Sequence, residues 1–264
     1  MRSHFLPIGM QGRAIRIEYR LINADRHHAP ILVFLHEGLG SVAMWRDFPD
    51  QLCHAAQCRG LVYSRPGYGR STARNPEQRW QPDFMHQQAQ QVLPEILTAL
   101  NIDPVRESIY LFGHSDGGSI SLLNAAMQPN TAKGLIVLAP HIFVEDISIS
   151  SIEVARSQYT QGKLRDGLSK YHDDPDSAFW GWNDAWLNPD FRSWNIQHEV
   201  SQIRCPILVI QGEQDQYGSM AQIDEIQRCT PATRLLKLAQ CGHWPHRDQT
   251  QAVIAASVNF LAAN

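Results

Sequence analysis

Tyr110-Leu111-Phe112-Gly113-His114-Ser115-Asp116-Gly117-Gly118 runs from an apolar segment into a serine with glycine two residues to either side. Residues 109–112 have the composition of a buried strand, and residues 119–127, rich in Leu and Ala, that of a helix. Gly113-x-Ser115-x-Gly117 therefore falls on a strand-to-helix turn, the setting in which this pattern presents a nucleophile. So tight a turn strains the serine backbone and exposes its hydroxyl, and the flanking glycines let strand and helix pass without side-chain clash. Gly118 lets the new helix lie close to the neighbouring strands. The plain alternative is a glycine-rich turn with an idle serine, and the strand before and helix after argue against it.

Working outward, residues 31–35 (Ile-Leu-Val-Phe-Leu) form a continuous run of the kind buried on both faces of a parallel sheet. It ends in His36-Glu37-Gly38-Leu39-Gly40-Ser41, a loop whose backbone N–H groups can be aimed into a site. Residues 4–8 and 14–22 read as an antiparallel pair at one sheet edge, joined through Gly9-Met10-Gln11-Gly12. A helix is expected over 45–57, a strand over 60–64 with a tight loop after it, and a helix over 84–100 that Pro94 kinks or splits. Further strands are expected at 134–139, 206–210 and 234–238, with helices at 220–228 and 249–262. This alternation predicts an α/β fold: a mostly parallel central sheet, helices on both faces, and ligands at the carboxyl ends of the strands.

Residues 141–203 break the alternation. They hold no buried strand run, only helical and loop segments carrying Phe179, Trp180, Trp182, Trp186, Phe191 and Trp194. The expected division is thus a core of 1–140 and 204–264 with a helical cap, or lid, over 141–203. Some of its aromatics should form the cap's own small core and others an apolar roof for an acyl or aryl group.

A serine hydroxyl needs a neutral imidazole to take its proton and a carboxylate to hold that imidazole in the right tautomer. Asp215 follows the 206–210 strand in a turn-forming loop, and His243 occupies the corresponding place after 234–238. The order Ser115, Asp215, His243 is the one expected of a nucleophile on such a turn. Glu213 is set behind Asp215 because it lies closer to the strand, with poorer reach, and Asp146 beyond the preceding strand is the other candidate. His246 shares the loop with His243, but it follows Pro245 and is expected to begin the last helix. His243-x-x-His246 has no third Cys, His or carboxylate at ligand spacing, so no metal is expected.

The chain has 264 residues and a formal net charge of -3, with no run of Lys and Arg, which excludes the concentrated basic field of a nucleic-acid or anionic-membrane binder. No window approaches a membrane span, and the amino terminus lacks the apolar stretch of a signal peptide, so a soluble, cytoplasmic protein is expected. The five cysteines are odd in number and scattered, which suits free thiols rather than a disulfide framework. The expected partner is a small-molecule substrate, with no cofactor, and self-association into a homo-oligomer is compatible with this surface.

Five stretches together resemble the α/β-hydrolase fold superfamily, in particular serine hydrolases with a helical cap: Leu35 to Gly40, Ser64-Arg65-Pro66-Gly67-Tyr68-Gly69-Arg70-Ser71, Gly113 to Gly118, Gly212-Glu213-Gln214-Asp215, and Gly242-His243-x-Pro245-His246. The resemblance spans the core and leaves 141–203 where that superfamily inserts its cap. It implies a triad of Ser115, Asp215 and His243, and an oxyanion hole from the backbone N–H of Asp116 and of a residue in the His36 loop. Members with this cap usually carry His-Gly before the donor residue. Here Glu37 stands in the glycine's place, which puts Gly38 at the donor position, with Leu39 next to it.

The remaining residues are read more plainly. Glu37 is expected to be a surface carboxylate or a partner of Arg65. The Asp116 side chain could meet a substrate ammonium, although its backbone N–H is the expected contribution. His36 and His114 are expected to hydrogen-bond neighbouring loops. Leu39, Trp182 and Trp186 are expected to bind substrate. The implied activity is hydrolysis of a small, largely apolar ester, thioester or related acyl compound through an acyl-enzyme. C–C bond hydrolysis or cofactor-free lyase chemistry on the same site, and a non-catalytic receptor on the same fold, are the rival readings.

Overall fold

The computed structural model describes residues 3–10 and 12–264. Gln11, assigned above to the first connection, lies outside the described residues. The antiparallel pair is β1 (His4–Met10) and β2 (Arg13–Ile22), registered with His4 opposite Tyr19 and Met10 opposite Arg13. The other strands are β3 (Ile31–Leu35), β4 (Arg59–Tyr63), β5 (Ile109–His114), β6 (Gly134–Leu138), β7 (Ile207–Gly212) and β8 (Arg234–Leu238). They form one sheet in the order β1-β2-β4-β3-β5-β6-β7-β8, antiparallel at the β1/β2 and β2/β4 pairings and parallel from β4 to β8.

Alternation along the central strands splits the core in two. Val33, Leu35, Leu111 and Val137 face one layer of helices, while Leu32, Phe34, Phe112 and Ile136 face the other. The second layer is α1 (Phe48–Ala55) and the closing helix, whose Leu52, Val253 and Phe260 are buried there. Because both faces are covered, β3, β5 and β6 are buried along their whole length, which is why they are continuous apolar runs in the sequence.

Two helices are shaped by a proline, the first against expectation. The helix expected over 45–57 begins only at Phe48, after a single 3₁₀ turn at Ala43–Trp45 and a positive φ of 54° at Arg46. A helix running from Trp45 would put the Pro49 ring against the Trp45 carbonyl, whereas in the first turn of α1 no carbonyl of that helix stands four residues before it. The segment over 84–100 is divided just before Pro94, by a wider turn rather than by a loop. It passes from α2 (Phe84–Gln87) through a π-helical turn, Gln88–Val92, into α3 (Leu93–Ala99). Leu93 N–H reaches the Gln88 carbonyl, and this wider turn makes room for the Pro94 ring one residue later.

After β5 comes α4 (Asp116–Met127). Between β6 and β7 lie α5 (Asp146–Thr160), α6 (Lys163–Leu168), α7 (Pro175–Trp186), a 3₁₀ turn at Pro189–Ser193 and α8 (Gln197–Val200). The chain closes with α9 (Ala221–Cys229), α10 (Pro245–Asp248) and α11 (Thr250–Ala262), so His246 stands on its own short helix. No helix among the described residues is long and apolar enough to cross a membrane.

Candidate active site

Ser115 joins β5 to α4 with φ 53° and ψ −120°, a conformation that L-residues adopt only under constraint. The constraint is the close passage around it. A Cβ on Gly117 would lie 2.0 Å from the Leu35 carbonyl oxygen, and one on Gly113 would lie 2.3 Å from the Gly117 carbonyl oxygen. Ser115 N–H donates to the Leu138 carbonyl at 2.9 Å, which fastens the turn to β6.

The loops after β7 and β8 bring Asp215 and His243 together. Gln214 stitches them: its N–H donates to the Cys241 carbonyl at 2.9 Å, and its side-chain oxygen accepts from Cys241 N–H at 2.8 Å. His243 Nδ1 lies 2.9 Å from each Asp215 carboxylate oxygen, and Oδ1 also accepts from Tyr217 N–H at 2.8 Å and Gly218 N–H at 3.3 Å. Burial alone would raise the Asp215 carboxyl, but the adjacent His243 and the Tyr217 N–H hold it below the usual range. A carboxylate only accepts, so Nδ1 carries the proton and Nε2 is left as the basic nitrogen.

The alternatives take other places. Glu213 is exposed, and Asp146 pairs with Arg192 at the surface. The His246 ring is buried 4.9 Å from both Trp45 and His114, and burial holds its pKa well below the ordinary value. No group of three or more His, Cys, Asp or Glu among the described residues is placed to hold a metal ion.

Ser115 and His243 open onto one cavity of about 50 Å³. Its floor includes Gly38, Leu39 and Asp116, and neither Gly38 nor Leu39 spends its N–H on an acceptor among the described residues. Asp116 begins α4, where backbone N–H groups have no intrahelical partner and the helix dipole is positive. Overhead, α5 contributes Ile152 and α7 contributes Trp182 and Trp186. The Trp182 indole stands so close over Gly38 that a Cβ there would lie 2.2 Å from its Nε1. Larger clefts elsewhere, such as that of about 380 Å³ beside Arg20 and Arg70, contain none of the three residues Ser115, Asp215 and His243.

Sequence reasoning passed over His141, Tyr217 and Trp244, which also line the cavity. His141 follows the β6 carboxyl end, the same signal that located Asp215 and His243. Burial and the nearby His243 push its pKa down to about 4, so its ring is neutral near pH 7. His172 was passed over as well: it accepts from Gly69 N–H at 2.9 Å and donates to the Leu39 carbonyl at 2.9 Å.

Glu37 requires a correction. It is 7% exposed, not a surface residue, and Arg65 donates to its backbone carbonyl at 2.8 Å rather than pairing with its carboxylate. The buried Arg65 guanidinium instead lies 3.6 Å from Asp116 Oδ2. Burial raises the Asp116 carboxyl, opposed by Arg65 and by the Trp186 indole, so its side chain is committed within the protein rather than offered to an ammonium group. His36 behaves as expected, linking loops through Nδ1 to the Glu37 carbonyl at 2.7 Å and through Nε2 to Arg65 N–H at 3.0 Å.

Comparison with known proteins shows the family of the chain. Residues 32–256 match the family described as the alpha/beta hydrolase family. The chain is 24% identical over 277 residues to the sn-1-specific diacylglycerol lipase ABHD11 of Mus musculus, covering 95% of this chain and 86% of that protein. It is 25% identical over 204 residues to the human serine hydrolase BPHL, covering 70% and 63%. Its fold resembles that of a carboxylesterase from Nitrososphaera gargenis, with TM-score 0.79 at 18% identity and 98% of each chain covered. The chain belongs to the alpha/beta hydrolase family and is a hydrolase.

Proposed function

We propose that the protein is a serine hydrolase of small acyl esters or thioesters, working through an acyl-enzyme on Ser115. The observation that carries this reading is the His243 Nδ1 contact with both Asp215 oxygens at 2.9 Å, in a loop opening onto the cavity that holds the strained Ser115.

Ser115 Oγ bonds to the substrate carbonyl carbon as its proton passes to His243 Nε2, and the carbonyl π pair moves to oxygen. The N–H groups of Asp116 and Gly38 receive that charge, each such donor being worth about 3 kcal/mol. Collapse breaks the bond to the leaving oxygen or sulfur, which takes the proton from Nε2. Water then repeats the sequence and frees the acid and Ser115. No hydrogen bond joins the Ser115 hydroxyl to His243 among the described residues, and such contacts tighten in the substrate complex.

The volume of about 50 Å³ suits a short acyl group under Leu39, Ile152, Trp182 and Trp186. A substrate as bulky as a diacylglycerol would need α5 and α7, the lid in this reading, to withdraw. A nitrophenyl ester series from acetate to octanoate tests the proposal, with the highest kcat/KM expected at the short end. A fluorophosphonate should modify Ser115, and Ser115→Ala should abolish turnover. Modification of another serine, or retained turnover, overturns the assignment.

A further inference from the structure

The backbone carbonyl of His243 accepts a hydrogen bond from His114 Nε2 at 2.7 Å, and His114 Nδ1 lies 3.5 Å from Glu37 Oε2. The His114 ring has no exposure and Glu37 little. A carbonyl oxygen only accepts, so Nε2 carries a proton. Were that the only proton on the ring, the Nδ1 lone pair would lie 3.5 Å from a buried carboxylate oxygen, a repulsion that water does not screen. One more proton, on Nδ1 or on the carboxyl, makes the contact attractive. Arg247 Nη2, 3.6 Å from Glu37 Oε1, favours the ionised carboxyl and therefore the proton on Nδ1. Burial alone would raise the Glu37 carboxyl, yet His114, Arg247 and His246 hold it well below the usual range. The other titratable rings facing His114 are those of His246 and His243, at centroid distances of 4.9 and 5.1 Å.

Each member of this chain of contacts stands in or beside a different loop of the site. Glu37 precedes Gly38, His114 precedes Ser115, and the carbonyl is that of His243 itself. We propose that Glu37 and His114 form a buried carboxylate–imidazolium ion pair, and that the pair is a strut holding the Gly38 loop, the Ser115 turn and the His243 loop in register. The strut rests on the roles proposed above for those three residues. Glu37 and His114 are positioning residues, acting through His243.

Histidine-ring ¹⁵N NMR of the full chain at neutral pH tests the pair directly, with the His114 resonances identified by their loss in His114→Gln. Both ring nitrogens of His114 should carry protons, and Glu37→Gln should remove the one on Nδ1. With nitrophenyl propionate, His114→Phe should lower kcat roughly tenfold or more while KM stays within about twofold, as expected for a misplaced base. His114→Gln, whose amide still donates to the carbonyl, should recover part of that loss. A singly protonated His114 ring in the wild type overturns the ion pair. An unchanged kcat in His114→Phe overturns the strut. If the wild type hydrolyses no ester and Ser115 resists fluorophosphonate, the function proposed above fails, and the wild-type ring spectrum still decides the pair.

Discussion

Trp186 Nε1–H donates to Asp116 Oδ1 across 3.1 Å, joining α7 to the residue that follows Ser115. The indole therefore does two things: it roofs the cavity and supplies a neutral donor to a buried carboxyl. Trp186→Phe keeps most of the ring and removes the donor. Leaving a buried acceptor with one partner fewer costs about 1–3 kcal/mol, and urea unfolding should show that loss. Unchanged stability would mean that Arg65 alone satisfies Asp116.

Gly38 and Trp182 should be coupled. The side chain added by Gly38→Ala would meet the indole at 2.2 Å, so that variant should displace the ring and lose activity. Adding Trp182→Ala removes the obstacle, and the double variant should be more stable than the sum of the single effects implies. A thermal-melt double-mutant cycle with no interaction energy would show that the loop moves instead of the ring.

Trp182→Ala alone should alter selectivity more than rate. It uncovers apolar surface worth about 25 cal/mol per Å² of substrate contact, which matters for longer acyl chains and hardly for acetate. Nitrophenyl kinetics should show the chain-length preference moving upward. Equal losses on every ester, with a lower melting temperature, would assign Trp182 to packing alone.

Asp215→Asn should lower kcat by about 10²–10⁴ near neutral pH, because the amide can leave His243 in the wrong tautomer. Glu213→Gln should change nothing measurable in the same assay. The reverse pattern would transfer the orienting role to Glu213.

Stability should fall as the medium becomes mildly acidic. His36, His141, His172 and His246 all have folded pKa values lowered by burial. For a lowered group the unfolded chain binds the proton first, so the contribution is complete above about pH 6.5 and is lost below it, as pH falls toward the folded values. Each such histidine removes at most about 1.4 kcal/mol per pH unit in that window. Melting temperatures recorded from pH 7.5 to 5 should drop steeply, with proton uptake on unfolding. A flat profile would mean that these rings accept protons without unfolding.

Much of the fold was legible because β3, β5 and β6 are buried on both faces and so leave unbroken apolar runs. The placement of Ser115, Asp215 and His243 at strand ends was legible because each follows a strand that could be recognised. The start of α1 and the π-helical turn were not, since each depends on where a proline ring meets a carbonyl four residues earlier. Glu37 was misread because His114 and Arg247, which hold its carboxylate, are far along the chain. His172 left no sequence signal at all, because its partners are the backbone atoms of Leu39 and Gly69.

The segment between β6 and β7 leaves and re-enters the core through a narrow neck. Phe143 pairs with Asn195 in an isolated bridge, Ile196 N–H donates to the Ile142 carbonyl at 2.8 Å, and Glu145 accepts from the Ser219 hydroxyl at 2.6 Å. Closing a long loop at its base costs little more than closing a short one, since the entropy grows only with the logarithm of length. The neck thus fixes where the segment leaves and re-enters the sheet. On the function proposed above, its length and helices could be rebuilt for a different acyl group while the sheet beneath keeps its register, provided the residues at the base still meet and the contacts of His172 and Trp186 with the core loops are kept.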